Sequence, residues 1–379
     1  MTSTLQQILD PIGRQQFREQ YHRNRPLLIR GHAEKFAHLF AWEDVNRFLN
    51  VSHYPNPYVH LMAAGTSAEK AASSPQVIER SRAGATIRIT RLERLDPKVG
   101  ELARSLEAEM GEQVKVTFFL SQSGRAGTSC HYDPWDVFVL HLDGHKAWRV
   151  FEPALDEPGR PSLECELSPG DLLYIPRGHW HQAMAQRGPS RHLSVILVAR
   201  TGIAFLTWLT DELKRDVLFR RELPLMFADD PPERREERLR EHIAKLTESL
   251  ALRLQDHQTM KRFGTHCVMS DRDVHPFKLP AQLLEAPAQQ LAVRRFSRPA
   301  RQRVLLRDEP ADDQIALCVW GQELHFPNTA KRLIEFLVSR TGFSCDDAIA
   351  HAGPLTEQGV WDVLNRLLRE GILEPEPEA

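Results

Sequence analysis

Residues 128–151, TSCHYDPWDVFVLHLDGHKAWRVF, put ionisable side chains where a buried sheet is expected. The runs DVFVLHL and AWRVFEP are rich in β-branched and aromatic residues and read as strands. Positions i and i+2 of a strand share a face, so His131 and Asp133 converge and can offer one nitrogen and one oxygen to a single cation. The Asp-Gly pair at 143–144 is a hairpin signal and predicts a chain reversal after Leu142. On the returning strand Lys146, Trp148 and Val150 share one face, so Lys146 points inward if Trp148 and Val150 do. An unpaired ammonium inside a sheet is costly or loses its proton. Either a dicarboxylate bound inside the sheet offsets that cost, or the lysine reaches solvent at the strand end.

A second stretch, GDLLYIPRGHWH at 170–181, sharpens the reading. Gly170 is followed six residues later by Pro176 and five after that by His181, a spacing similar to the second cupin motif, G-x5-P-x4-H. Gly170 and Asp171 turn the chain into a strand, Pro176 and Gly178 make the next tight turn, and His181 opens the following strand toward the interior. His179 has the same parity as His181 on an extended strand, but the motif spacing leaves it inside the turn. His141, His145 and His192 read as surface groups or as supports for the ligands. Two histidines and one carboxylate with open positions suit a non-haem Fe(II) that must also bind oxygen and a cosubstrate. Trp135 and Trp180, each close in sequence to a ligand candidate, are candidates for a cleft wall or for core packing.

Around these motifs, KVTFFLSQ, DLLYIP and HLSVILVAR add strands between about residues 115 and 200, with Gly- and Pro-rich turns and no helical stretch between them. That pattern predicts an antiparallel barrel or sandwich. Residues 3–24 read as helical, with Leu9, Phe17 and Tyr21 as apolar contacts, and RPLLIRG at 25–31 as a buried strand. The chain turns helical again over 201–260. There DDPPERREERLREHIAKLTESLALRL opens with Asp230 as a cap and carries a seam of Leu239, Ile243, Leu246 and Leu250. Packing within the chain and a dimer interface both satisfy that seam. SRPARQRVLL at 297–306 returns to strand, and three helices followed by a short extended piece predict a C-terminal winged helix. Its last helix offers Arg366 and Arg369 against Glu357, Asp362 and Glu370, so protein contact or structural support is expected rather than nucleic-acid binding.

The whole chain of 379 residues, 41% apolar with a net charge of -2, gives no global argument for a nucleic-acid, membrane or acidic partner. Five cysteines, odd in number and without a CxxC pair, suit a reducing cytoplasm. The N-terminal stretch lacks the apolar core of a signal peptide and no run approaches a membrane span, so a cytoplasmic location is expected.

The motifs HYD, VFVLHLDGHKAWRVFEP and LSPGDLLYIPRGHWHQA, with FREQYHRNRPLLIRG before them, resemble the JmjC-type, Fe(II)- and 2-oxoglutarate-dependent oxygenases of the cupin superfamily. Among these the sequence is most similar to the ribosomal oxygenases, which hydroxylate side chains of ribosomal proteins. The similarity is strong over residues 10–200 and rests on weaker motifs beyond. It implies a mainly β catalytic core, a double-stranded β-helix, over 1–200, a helical and dimerising region over 201–290, and a winged-helix-like domain over 291–379. It also implies that His131, Asp133 and His181 hold Fe(II) and that Lys146 pairs with the distal carboxylate of 2-oxoglutarate. Thr117 falls where relatives often place an asparagine near the cosubstrate, and Ser194 lies on the strand lining the other side. The implied reaction couples oxidative decarboxylation of 2-oxoglutarate to hydroxylation of an arginine or histidine side chain. The TSC before the triad and the short interval from Asp133 to His181 depart from the family pattern and leave the substrate open. Alternatives are the same chemistry on another peptide or a small molecule, or a cupin scaffold without catalysis.

Overall fold

A computed structural model describes the chain except for residues 1–2, 64–67, 123, 125–128, 154–155, 224–230, 271–278, 280, 284–294, 299–303, 310–312, 320 and 377–379. The chain divides into two units, Met1–Ala199 and Arg200–Ala379.

The strands of the first unit are β1 (Leu27–Ile29), β2 (Val59–Met62), β3 (Glu69–Lys70), β4 (Thr86–Ile89), β5 (Gln113–Ser121), β6 (Asp136–Phe151), β7 (Pro161–Leu167), β8 (Leu172–Ile175) and β9 (His181–Val198). They form one antiparallel sheet in the order β1-β8-β6-β9-β5-β4-β2-β3, with β7 also paired to β6. The two longest strands belong to both walls. The first half of β6 lies between β8 and the second half of β9, while its second half lies between β7 and the first half of β9. With β5 beside the second half of β9 and a bridge from His131 beside its first half, two four-membered layers share their central strands. That is a double-stranded β-helix.

The hairpin expected at Asp143-Gly144 does not form. β6 continues through it, and its register against β9 slips at 141/143, 143/145 and 145/146. Gly144 has φ 72°, which lets a single residue bulge out without ending the ladder. Between the paired positions His141↔His192 and Lys146↔Ala185, β6 advances five residues and β9 seven. Under strict alternation an odd count would leave the two pairs on opposite faces, yet His192 of the first and Lys146 of the second line one cavity, so both strands exchange faces at this level. Val137 and Val139 consequently pack in the same cluster as Trp148 and Val150, while Phe138, Leu140 and Leu142 join the opposite core.

Helices cover that opposite core. The expected helical run 3–24 is two helices, Thr4–Leu9 and Arg14–Gln20, which bury Leu9 and Phe17 and pack Tyr21 at the margin. Phe17 meets Tyr174 edge-on at 4.9 Å, tying the N-terminus to β8. The helix Pro97–Met110 starts where Asp96 accepts from the Lys98 and Val99 amides and stops at Gly111, φ 74°. Its Val99, Leu102, Ala103 and Leu106 recur at helical spacing and are buried. Asp171, from the second motif, accepts from the amides of Gly31 (3.0 Å) and Ser168 (2.9 Å) and pairs with Arg30 at 2.6 Å, which clamps the segment after β1 to the sheet.

In the second unit the helices Gly202–Leu213, Pro232–Gln255 and His257–Met269 come first. Phe205 and Trp208 pack against Phe263 between the first and third. Asp230, the expected cap of the second, lies outside the described residues, and Pro231 occupies the N-cap. No described residue of Pro232–Gln255 is buried: Leu239, Leu246 and Leu250 are half-buried and Ile243 is 45% exposed. The remaining strands are β10 (Arg295–Ser297), β11 (Leu305–Glu309), β12 (Gln314–Val319), β13 (Gln322–Pro327), β14 (Gly342–Ser344) and β15 (Glu374–Pro375). They make a β11-β12-β13 meander and a β14-β10-β15 sheet, packed in one core with the helices Lys331–Ser339, Cys345–Ala350 and Glu357–Arg369.

Candidate active site

His131 and His181 face each other through a reciprocal backbone pair, His181 N to His131 O at 2.7 Å and His131 N to His181 O at 3.1 Å. The Gly178 amide donates to the Asp133 carbonyl at 2.8 Å, so the turn that precedes β9 holds the HYD segment in place. Gly178 has φ 78°, a conformation for which the motif needs its glycine. One ligand atom each from His131, Asp133 and His181 lies within 4.8 Å of the others, and His181 Nε2 is 3.7 Å from Asp133 Oδ2.

The imidazoles are oriented for a cation. His131 Nδ1 lies 2.8 Å from the Ser129 carbonyl and His181 Nδ1 lies 3.0 Å from the His179 carbonyl. A carbonyl only accepts, so each Nδ1 carries the proton and each Nε2 keeps its lone pair for the centre. Burial, with the nearby His131 adding to it, holds His181 below the ordinary imidazole range and therefore neutral. These three side chains fit a divalent metal. His179 contributes its carbonyl to this arrangement rather than its ring.

A cavity of about 230 Å³ opens between the triad and the opposite wall. Lys146 lines it and is only 3% exposed. Its Nζ donates to Ser121 Oγ at 2.9 Å, and Thr86 Oγ1 donates to the same oxygen at 3.0 Å. Among the described residues no carboxylate pairs with it, and burial pushes its pKa down to about 7. Thr117 and Ser194 are register partners across β5 and β9, and both line the cavity. All six residues singled out from the sequence thus border one space.

The other histidines divide. His145 is near the surface, 3.2 Å from Glu166. His141 and His192 are not surface groups: His141 is 0% exposed, bonds the Gly144 carbonyl and is pushed down to about 4 by burial. His192 lines the cavity, stacked on Phe119 at 4.9 Å and 7°. Trp135 lines the cavity, whereas Trp180 packs edge-on against Tyr132 at 5.1 Å; both are half-buried and neither belongs to a core cluster. Sequence reasoning missed Thr86, Arg88, Phe119 and Ser121. The parity of Thr117 on β5 would have found Phe119 and Ser121. β4 offered no motif.

Comparison with known proteins agrees with this geometry. Residues 94–204 match the JmjC domain family. The chain is 27% identical over 254 residues to ribosomal oxygenase 2 of Bos taurus, covering 57% of this chain and 54% of that protein. It is 31% identical over 175 residues to ribosomal oxygenase 1 of Rattus norvegicus, covering 39% and 28%. It therefore spans about half the length, or less, of these curated relatives. Among solved structures, the ribosomal oxygenase YcfD of Escherichia coli in complex with cobalt and 2-oxoglutarate superposes with a TM-score of 0.61 at 17% identity, over 97% of this chain and 99% of that one. The chain thus carries a match to the JmjC domain over residues 94–204, and is similar in sequence to the ribosomal oxygenases and in fold to YcfD.

Proposed function

We propose that the protein is an Fe(II)- and 2-oxoglutarate-dependent oxygenase that hydroxylates a histidine or arginine side chain of a ribosomal protein. One observation carries this reading: a convergent His131–Asp133–His181 set and a buried Lys146 without a carboxylate partner border the same cavity. Bound together, Fe(II) and 2-oxoglutarate would supply oxygen activation and the reducing electrons for hydroxylation. His131 and His181 would hold the metal through Nε2, each kept in that tautomer by the carbonyl behind it, and Asp133 would add the anionic ligand. Lys146 would pair with the distal carboxylate of the cosubstrate, while Thr117 and Ser194 would bond its flank. Similarity to ribosomal oxygenases favours a ribosomal protein as substrate over another peptide or a small molecule.

The remainder of the chain has an accessory role in this reading. The incompletely buried apolar seam of Pro232–Gln255 would pair with a second copy, since no described residue of that helix is fully buried within the chain. The C-terminal helices, with β14 after the first and β15 after the last, would form a winged-helix-like module for protein contact or support. Arg366 there bonds the His325 carbonyl and lies over the Phe326 ring. No described helix is long and apolar enough to cross a membrane, and the five cysteines are unpaired with one another.

The test is turnover. Purified protein with Fe(II), 2-oxoglutarate and ribosomal proteins should form succinate and add 16 Da to one protein, and His131→Ala or Asp133→Ala should abolish both. A His131→Ala variant as active as wild type would overturn the assignment.

A further inference from the structure

Three successive same-face rungs of the β5–β9 ladder lie along one wall of the cavity: Thr117↔Ser194, Phe119↔His192 and Ser121↔Ser190. Lys146 reaches the last of them, where its Nζ donates to Ser121 Oγ at 2.9 Å. The far carboxylate of 2-oxoglutarate would meet Lys146 there, and Thr117 and Ser194 would bond the flank at the first rung. Same-face rungs are spaced by about 7 Å, so the carboxylate end of the cosubstrate comes within a side chain's reach of the middle rung. The polar group on that rung is the imidazole of His192.

Packing alone does not account for an imidazole at this position. His192 is 2% exposed, stacked on Phe119 at 4.9 Å and 7°, and edge-on to Trp148 at 5.6 Å and 80°. Those two rings fix its plane. Nδ1 is sealed in the wall without a hydrogen bond, and among the described residues Nε2 has none either. Burying an unmet polar group is costly, and a phenylalanine would fill the same slot without that cost. Because His192 lines the cavity and its Nδ1 is sealed from it, Nε2 is the nitrogen turned to the space. Burial first, then the charges of Lys146 and His141, hold the ring well below the ordinary imidazole range and therefore neutral. A neutral imidazole carries one proton, and with that proton on Nε2 the cavity-facing nitrogen is a donor. Such a donor can bond a carboxylate already paired with Lys146 without adding a second buried cation.

We infer that His192 is the second anchor of the cosubstrate, its Nε2–H donating to the far carboxylate that Lys146 neutralises. The inference rests on the 2-oxoglutarate reading above and adds a residue to it.

Isothermal titration of the full-length, Mn(II)-loaded protein tests it with two probes. One is 2-oxoglutarate; the other is 2-oxopentanoate, which has the same chain length and a methyl group in place of the far carboxylate. Wild type should bind the diacid far more tightly. His192→Phe keeps the flat ring and should weaken 2-oxoglutarate by at least about tenfold, the loss of a charge-assisted hydrogen bond, while 2-oxopentanoate stays within about threefold. His192→Gln carries an amide N–H near the place of Nε2 and should keep the diacid preference better than His192→Asn, whose amide N–H falls near the place of Nδ1. The Mn(II) affinity of each variant, measured alongside, should match wild type. A His192→Phe preference within about threefold of wild type, or a preference kept better by His192→Asn than by His192→Gln, would overturn the role of Nε2 and leave Lys146 as the anchor. Wild type that binds the two probes equally would defeat the 2-oxoglutarate reading itself.

Discussion

Replacing Lys146 with methionine separates two roles that a single loss of activity would merge. The side chain is 3% exposed, and among the described residues its ammonium is met only by the Ser121 hydroxyl. Breaking a buried ion pair by removing one partner costs about 3–5 kcal/mol. At about 1.4 kcal/mol per decade, Lys146→Met should weaken 2-oxoglutarate binding by at least about a hundredfold. Metal affinity should be unchanged, because Nζ is not among the converging ligand atoms. In the cosubstrate-free protein the same substitution should stabilise, since it removes a buried ammonium whose pKa has fallen from 10.5 to about 7. A lysine depressed on folding leaves the folded protein with fewer bound protons than the unfolded chain between about pH 7 and pH 10.5. Its destabilising effect is therefore complete below that window and fades as pH rises through it. Thermal melts of both proteins from pH 6 to 10, with and without Mn(II) and 2-oxoglutarate, read every part of this. The variant should melt higher than wild type at pH 6 without ligand, lose that advantage by pH 10, and gain nothing from 2-oxoglutarate. A variant that binds 2-oxoglutarate within about threefold of wild type, or whose metal requirement rises in parallel, would refute the reasoning.

Two further substitutions test the geometry. His181→Ala should reduce Mn(II) affinity by about a hundredfold or more, whereas His179→Ala should leave it within a few-fold, as isothermal titration would show; equal losses would mean that the ring of His179 also binds. Gly144→Ala should destabilise the fold by about 2–4 kcal/mol in urea denaturation, because the added Cβ would meet the Pro189 carbonyl oxygen at 2.3 Å on a residue with φ 72°; a neutral result would mean that the bulge is not required.

The site was legible wherever local rules decide geometry. His131 and Asp133 lie two apart on an extended segment, and the Gly170–Pro176–His181 spacing fixes a turn, so both could be placed without knowing what they pack against. Thr117 and Ser194 needed the resemblance, because nothing in KVTFFLSQ or HLSVILVAR distinguishes the strand face that meets a cavity from the one that meets a helix. Arg88 was hidden for a related reason. β4 is four residues long, and only its pairing with β5 brings it to the wall. Lys146 was assigned inward through a hairpin that does not exist. Asp-Gly favours positive φ at its glycine, and the chain met that preference with a bulge rather than a reversal.

The bulge is what allows one strand to serve both halves of the site. An unbroken ladder with strict alternation would put Val137 and Val139 on one face and Lys146, Trp148 and Val150 on the other. Val137 could then line the cavity only if Lys146 pointed away from it. The odd residue at Gly144 reverses the alternation, and the matching excess around residues 188–190 does the same on β9, so His181 and Ala183 share the cavity with His192 and Ser194. The wall that carries His181 and the wall that carries Ser194 are therefore two segments of one strand, as are those of Lys146 and Val137. A change at Gly144 should accordingly disturb Lys146 and the triad together, although Gly144 borders neither.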